Sequence, residues 1–285
     1  MVFEKFYYDV VKFAEDIAKA AQHTPFEGGT SRNLEQIVTA GNKHVCFEYN
    51  RHPKKIKGSS LNCQAYLYSL VYPQTVVNKR TGKTREMEIP AGTPVIHLNV
   101  ANIYAAQYKN FSFQNKYIKF IKRIKGVKTA AYRIDSKMSD KDFENLCREL
   151  TKTYAFEKTV SHELQHHVGP ATHRWEEEPQ DKIHDKIRNL KYPGTNKQKI
   201  AHFKYINSDE EVNSSIAEVL THAKNMRYGR RAIEANNIRL FIMICINELK
   251  RLQRWDLYSD EIQKKILKKL SINFYELVKN YRRYH

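Results

Sequence analysis

The sequence has few cysteines, and their spacing indicates neither disulfide bonds nor a cysteine-ligated metal site. The 285 residues contain four cysteines, Cys46, Cys63, Cys147 and Cys245, and no two of them form a C-x-x-C pair. Widely spaced single cysteines argue against a disulfide framework and against a cysteine-based zinc site. We therefore expect ordinary thiols in a reducing compartment.

The sequence also lacks a long apolar run. Its longest, Leu240 to Ile246, is far shorter than the roughly 20 residues that a helix needs to cross a bilayer. The first residues, MVFEKFYYDVVKFAEDIAKAAQ, place acids among the apolar positions and do not have the layout of a signal peptide. We expect no membrane partner and a cytoplasmic protein, or a virion-associated one if the source is viral.

Acidic residues are scarce relative to basic ones. Lys and Arg number 49 against 31 Asp and Glu, which gives a net charge of +18. Such a charge favours nucleic acid, anionic surfaces or acidic protein partners. The basic residues are nevertheless spread along a chain rich in Lys, Asn, Ile and Tyr, a composition that an AT-biased genome produces without any partner. Both explanations stay open.

Basic residues alternate with aromatic residues in the segment 109–137. This mixture is typical of a groove for single-stranded nucleic acid, and Lys116, Lys119 and Lys122 would make the contact. It is also typical of an amphipathic helix with a buried aromatic side and solvated lysines, and we favour this second interpretation. Nucleic acid or an acidic protein remains a candidate partner.

One short stretch carries a pattern with a specific chemistry, H-E-x-x-H at residues 162–166. On a helix, His162 and His166 lie on one face, one turn apart, where their imidazoles can converge on one zinc ion. Glu163 lies on the flank of this face, in the position of a general base that takes a proton from a water activated by the metal. The opposite face is apolar and is expected to be buried: Phe156, Val160, Leu164 and Val168.

A third zinc ligand is expected from a second helix, from about Asp209 to Lys224. Its polar stripe has helical spacing and consists of Glu211, Ser215, Glu218 and His222. We favour Glu211 as the ligand, with Glu218 as an alternative. Ser208 and Glu211 also fit the S-x-x-E capping box, so the carboxylate could instead only close the start of the helix.

At these residues the chain resembles the gluzincin branch of the zincin metallopeptidases, and especially small bacterial and phage-type members. In those proteins a Tyr followed six residues later by a Glu opens the second site helix, as Tyr205 and Glu211 do here. The resemblance covers roughly residues 94–225. It implies one zinc per chain, a peptide or protein substrate and hydrolysis with Glu163 as general base. Tyr205, His167 or His222 would support the oxyanion or the metal ligands.

The resemblance also implies an α+β fold with two site helices in a zincin-like core at residues 94–228. A small mixed sheet is expected in the N-terminal portion, 1–93, and a helical extension in 229–285, unless the three form one continuous domain. Residues 95–100 are predicted to be a strand, either at the rim of the cleft, where a peptide could pair with it, or in the sheet interior. Residues 230–255 and 259–281 are predicted to be two long helices.

Other interpretations of the motif and of the function stay open. His173 nearly completes the metzincin pattern H-E-x-x-H-x-x-G-x-x-H, but Thr172 occupies the required position, and Met226 is a weak match to a Met-turn. The chain could also be a nucleic-acid-associated basic protein, or a structural component of a virion whose zincin fold carries a vestigial site.

Overall fold

The computed structural model describes residues 6–26, 28–30, 33–52, 65–70, 74–76, 87–107, 118–121, 131–168, 186–188 and 195–284. The chain divides into two compact units. We call Phe13–Glu163 the sheet unit, and Met1–Lys12 together with Leu164–His285 the helical unit. The division predicted from the sequence, into 1–93, 94–228 and 229–285, stays a prediction.

The sheet unit contains a mixed five-stranded sheet. After α1 (Phe6–His23), the chain forms β1 (Gly28–Thr30), β2 (Asn33–Ala40), β3 (Lys43–Asn50), β4 (Ala65–Ser69), the hairpin of β5 (Gln74–Val76) with β6 (Met87–Ile89), and β7 (Pro94–Asn99). The strand order is β1-β2-β3-β7-β4, in which β3 and β7 run parallel and the other neighbours antiparallel. The two-residue turn between β2 and β3 places Gly41 at φ +63°, a conformation that favours glycine. The predicted mixed α and β fold is confirmed.

The strand predicted at residues 95–100 lies inside this sheet. β7 pairs with β3 on one side and with β4 on the other, and all six of its residues are buried. The Nδ1 atom of His97 lies 2.6 Å from a carboxylate oxygen of Glu48. The rim interpretation is therefore wrong, because both edges of the strand are already paired and a substrate could not add to it.

The second half of the sheet unit corrects the helix predicted at residues 109–137. It contains α2 (Val100–Gln107), β8 (Ile118–Ile121), β9 (Ala131–Ile134), α3 (Asp140–Thr151) and the start of α4 (Tyr154–Val168). β8 pairs with β9 antiparallel, so the described part of the segment contains a two-stranded sheet. Lys119 lies in β8, whereas Lys116 and Lys122 lie outside the described residues. A four-residue run of Ile, Lys and Phe has too little periodicity to distinguish a strand from a helix.

The start of α3 is fixed to the end of the sheet by Arg51. This buried arginine donates from Nη1 to the Met138 carbonyl at 2.7 Å, and its Nη2 atom lies 2.5 Å from the Asp140 carboxylate. Its guanidinium also lies 4.5 Å from the centre of the Phe143 ring. Ser139 caps the helix by accepting a hydrogen bond from the Asp142 backbone N–H, as its sequence predicts. The chain then turns at residues 152–153 and enters α4.

The helical unit contains the start of α1, the end of α4, and the elements α5 (Asn196–Ile206), α6 (Asp209–Asn225), α7 (Arg227–Glu234), α8 (Ile238–Arg251), a 3-10 turn (Trp255–Leu257) and α9 (Asp260–Tyr284). The four helices α6, α7, α8 and α9 share one apolar core. Phe241 and Phe274 meet in this core, with ring centres 5.1 Å apart. The single helix predicted for 230–255 is wrong. The chain breaks at Asn236, whose φ is +51°, and Asn237 caps the next helix through its side chain. No helix in the described ranges is both long enough and apolar enough to cross a membrane.

We predict that Gly229→Ala destabilises the helical unit. A Cβ at this buried position in α7 would overlap the backbone carbonyl of Ala223, which cannot move away as a flexible side chain can. Because overpacking costs about 1–3 kcal/mol, we expect the free energy of unfolding in urea to fall by about 2 kcal/mol or more. Arg230→Ala, at an exposed site on the same helix, is the control and should change it by less than about 0.5 kcal/mol. Equal urea midpoints of unfolding for the two variants would show that α6 and α7 do not approach closely at Gly229.

Candidate metal centre

Helix α4 carries the H-E-x-x-H motif and has the two faces that its sequence predicts. Thr153 directly precedes it, and the Thr153 Oγ1 accepts a hydrogen bond from the Phe156 backbone N–H at 3.2 Å. The Phe156 ring packs on the aromatic side chains of β3, 5.3 Å from Phe47 and 6.4 Å from Tyr49 between ring centres. Val160 is also fully buried. This packing fixes the rotation of the helix about its axis.

The histidines lie away from that apolar face. His162 and His166 are partly exposed and lie one helical turn apart, so their separation is set by the helix itself. Leu164 is buried, as predicted, but Val168 is 41% exposed at the last position of the helix, so the predicted apolar face ends one turn early.

Helix α6 positions Glu211 in its first turn. The Ser208 hydroxyl accepts a hydrogen bond from the Glu211 backbone N–H at 3.3 Å, so Ser208 is the N-cap. The Glu211 carboxylate, only 2% exposed, instead lies 3.5 Å from His166 Nε2 and pairs with Arg254. The capping interpretation therefore describes Ser208 but does not account for the side chain of Glu211.

His162, His166 and Glu211, which we call the donor cluster, are close enough together to share a metal ion. Their ligand atoms all lie within 4.8 Å of one another, and no other trio of His, Cys, Asp or Glu among the described residues meets this criterion. His166 Nε2 lies 3.5 Å from Glu211 Oε2. Ligands at about 2.0–2.1 Å from a tetrahedral zinc are separated by about 3.3 Å, so this pair is close to the required spacing. Two imidazole nitrogens and one carboxylate oxygen are also a donor set that suits zinc.

Glu210 orients His166, a contact that the sequence motif does not specify. His166 Nδ1 lies 3.1 Å from Glu210 Oε1. A histidine that donates from Nδ1 to a carboxylate keeps the lone pair of Nε2 available, and Nε2 is the atom that points at Glu211. A carboxylate behind a metal-binding imidazole commonly fixes its tautomer and raises its basicity. Glu210 was missed because an acid next to the predicted ligand looks like an ordinary helix-start residue.

The polar stripe of α6 is covered by Arg254, which follows α8. Arg254 Nη2 lies 3.1 Å from Glu211 Oε1, and Nη1 lies 3.3 Å from Glu218 Oε2. Nη1 also donates to the Ser215 hydroxyl at 2.5 Å. Burial lowers the pKa of Arg254, but the carboxylates of Glu218 and Glu211 outweigh this effect and raise it, so the guanidinium stays charged. Glu218, the alternative ligand, thus pairs with Arg254 and is not part of the donor cluster.

The remaining residues with a predicted role in the site are Glu163, His173 and Met226. Glu163, the predicted general base, follows His162 in α4 and is 8% exposed. His173, the alternative third ligand, lies outside the described residues. Met226, the candidate for a Met-turn, is 38% exposed between α6 and α7, which does not fit a methionine packed beneath a metal.

The side chains predicted to support the oxyanion have different surroundings. Tyr205, at the end of α5, is 55% exposed and is near enough to Arg254 to raise the pKa of the guanidinium. His222 Nδ1 lies 3.6 Å from a Glu248 oxygen instead. Burial lowers the pKa of the half-buried His167.

His202, which no sequence motif marks, lies one turn before Tyr205 on α5. Burial lowers its pKa; Glu211 opposes that shift, and Arg254 adds to it. His202 therefore lies within electrostatic reach of both residues. The i, i+3 spacing of His202 and Tyr205 is visible in the sequence, but only the fold brings His202 near Glu211.

No family model, curated protein or solved structure matches this chain. The case for a metal centre therefore rests on the donor atoms and their geometry.

We predict that the purified chain binds about one zinc ion and that Glu211→Gln loses it. The substitution keeps the side-chain volume but removes the anionic donor, and two histidines alone hold zinc weakly. Elemental analysis after dialysis gives the stoichiometry. His173→Ala is the control and should retain the metal; zinc lost with His173→Ala but kept with Glu211→Gln would favour the metzincin arrangement.

We also predict that Glu210→Gln weakens zinc binding by about 10–100-fold without changing its stoichiometry, because His166 loses the carboxylate that fixes its tautomer. Competition with a chromophoric chelator measures the affinity. Asp209→Asn, which changes the charge of the preceding residue, should have a much smaller effect. Equal affinities for the two variants would show that Glu210 acts only as a surface charge.

Proposed function

We propose that this protein is a zinc-dependent peptidase in which His162, His166 and Glu211 hold one zinc ion. The observation that supports this most is the donor cluster itself, in which the buried Glu211 of α6 approaches the histidine pair of an H-E-x-x-H helix. With three protein donors, a fourth position remains for water or substrate, which is typical of catalytic zinc sites and not of structural ones. The zincin-like fold belongs to the same proposal.

In this proposal the zinc, when bound, polarises the substrate carbonyl and lowers the pKa of a water toward about 7. Glu163 accepts the proton of the attacking water and later returns it to the amine that leaves. Its place beside His162 on α4 suits that role, because it shares the rigid helix with two of the donors. Its low exposure would limit competing contacts with solvent.

Two side chains of α5 are candidates for stabilising the negative charge that develops on the carbonyl oxygen. Tyr205 is 55% exposed and carries a hydroxyl group, which can donate a hydrogen bond. His202 lies within electrostatic reach of Glu211 and Arg254. The exposure of Tyr205 makes it the better candidate for direct contact with a peptide.

We predict that Glu163→Gln abolishes peptide hydrolysis while zinc remains bound. Glutamine has nearly the same shape but cannot accept the proton, so turnover should fall by at least about 100-fold, the lower end of what general-base catalysis contributes. Cleavage of a fluorogenic peptide library by the zinc-loaded chain provides the assay, with zinc content measured on the same samples. Glu157→Gln, on the same helix two turns earlier, is the matched control and should retain activity.

Undiminished turnover in Glu163→Gln would remove this residue from the mechanism. A wild-type chain that holds zinc but cleaves no member of the library would instead favour a vestigial site in a structural protein.

A further inference from the structure

The Glu211 carboxylate uses its two oxygens for two different partners. Oε1 lies 3.1 Å from Arg254 Nη2, whereas Oε2 lies 3.5 Å from His166 Nε2, on the side of the donor cluster. A carboxylate can bind a cation through one oxygen or through both, and the choice changes the coordination number. Here the oxygen that would make the second bond is already paired with the partly buried guanidinium of Arg254.

We propose that Arg254 is a positioning residue that restricts Glu211 to one-oxygen coordination of the zinc, with Glu218 as the counter-charge that this arrangement requires. The inference rests on the proposed zinc site. Arg254 itself does not touch the metal in this arrangement, and it acts only through Glu211.

The orientation of the guanidinium is determined by contacts on its other side. Nη1 donates to Ser215 and pairs with Glu218, so both terminal nitrogens are engaged by α6. Ser215 and Glu218 are both buried. Arginine suits this role because its planar fork presents two donors in a fixed geometry, which the single ammonium of lysine cannot reproduce.

The chain segment that carries Arg254 is also fixed to the start of α6. Asn207, which directly precedes the N-cap Ser208, donates to the Leu257 carbonyl at 3.1 Å and accepts from the Ser259 backbone N–H at 3.2 Å. Two buried hydrogen bonds thus join the residues after Arg254 to the residues before Glu211. The distance between the two side chains does not depend on a mobile loop end.

Glu218 balances the charge of Arg254. With both carboxylates present, the guanidinium is shared, and Glu211 keeps negative charge for a cation on its other oxygen. Without Glu218, the full positive charge of Arg254 would act on Glu211 alone and would compete with zinc for it. Glu218 is therefore expected to affect zinc binding although it is not in the donor cluster.

The test compares Arg254→Lys with Arg251→Lys in the full chain. Arg251 is a matched control because it pairs through two nitrogens with another buried glutamate, Glu248, at 2.6 and 2.7 Å. Zinc affinity is measured by chelator competition, and the coordination number by the visible absorption of the cobalt-substituted protein. Four-coordinate cobalt absorbs more strongly than five-coordinate cobalt.

We expect Arg254→Lys to weaken zinc binding by about 10–100-fold, because the ligand Glu211 loses the side chain that orients it. We also expect the cobalt absorption to fall, because the freed Oε1 joins the metal and raises the coordination number. Arg251→Lys should leave both readouts at the wild-type level. A folded Arg254→Lys protein with wild-type affinity and spectrum overturns the inference and leaves the zinc site intact. A wild-type chain that binds no zinc overturns the proposed function and this inference together.

Glu218→Gln provides a second test if Arg254→Lys does not fold, which circular dichroism would show. The substitution keeps Arg254 and the side-chain volume but removes the counter-charge. We expect a loss of zinc affinity of about 10-fold or more. Wild-type zinc affinity in a folded Glu218→Gln protein would overturn the role given to the Arg254 and Glu218 pair.

Discussion

The buried carboxylate of Glu211 is the constraint on which the candidate centre depends. An unpaired charge in a protein interior costs several kcal/mol, so a glutamate with 2% exposure must be compensated on each side. Arg254 compensates one oxygen, and His166 lies beside the other. A divalent cation among His162, His166 and Glu211 would add positive charge beside the Oε2 atom of Glu211.

The surroundings of Glu211 follow from that constraint. Glu218 and Ser215 engage the second nitrogen of Arg254, and Asn207 connects the segment after Arg254 to the start of α6. Each contact is polar and at least partly buried, and each would be costly to break singly. A polar stripe that would otherwise be solvated thus becomes part of the interior of the helical unit. The first turn of α6 is held in place by hydrogen bonds and ion pairs as well as by apolar packing.

Several features could be predicted because they depend on short-range periodicity. The two faces of α4 and the N-cap Ser208 follow from residues within a few turns of one another. Errors occurred where local pattern was ambiguous. The segment around Ile118–Ile121 pairs as a strand, and the helix predicted for 230–255 is interrupted at Asn236, whose positive φ no spacing rule indicates. β7 is equally strand-like at an edge or in the interior, and only its pairing with β3 and β4 decides between them.

The sequence by itself determined the two histidines on one helical face, the glutamate beside them and the second helix with its polar stripe. These depend on the 3.6-residue period of the helix, which is a local property of the backbone. The tertiary structure alone decided that Glu211 faces His166 and that Glu210 contacts the other side of the same imidazole. It also decided that Arg254 pairs with Glu218 and with the second carboxylate oxygen of Glu211. Those contacts join segments far apart in the chain, and they form because buried charges must find partners wherever the fold brings partners near.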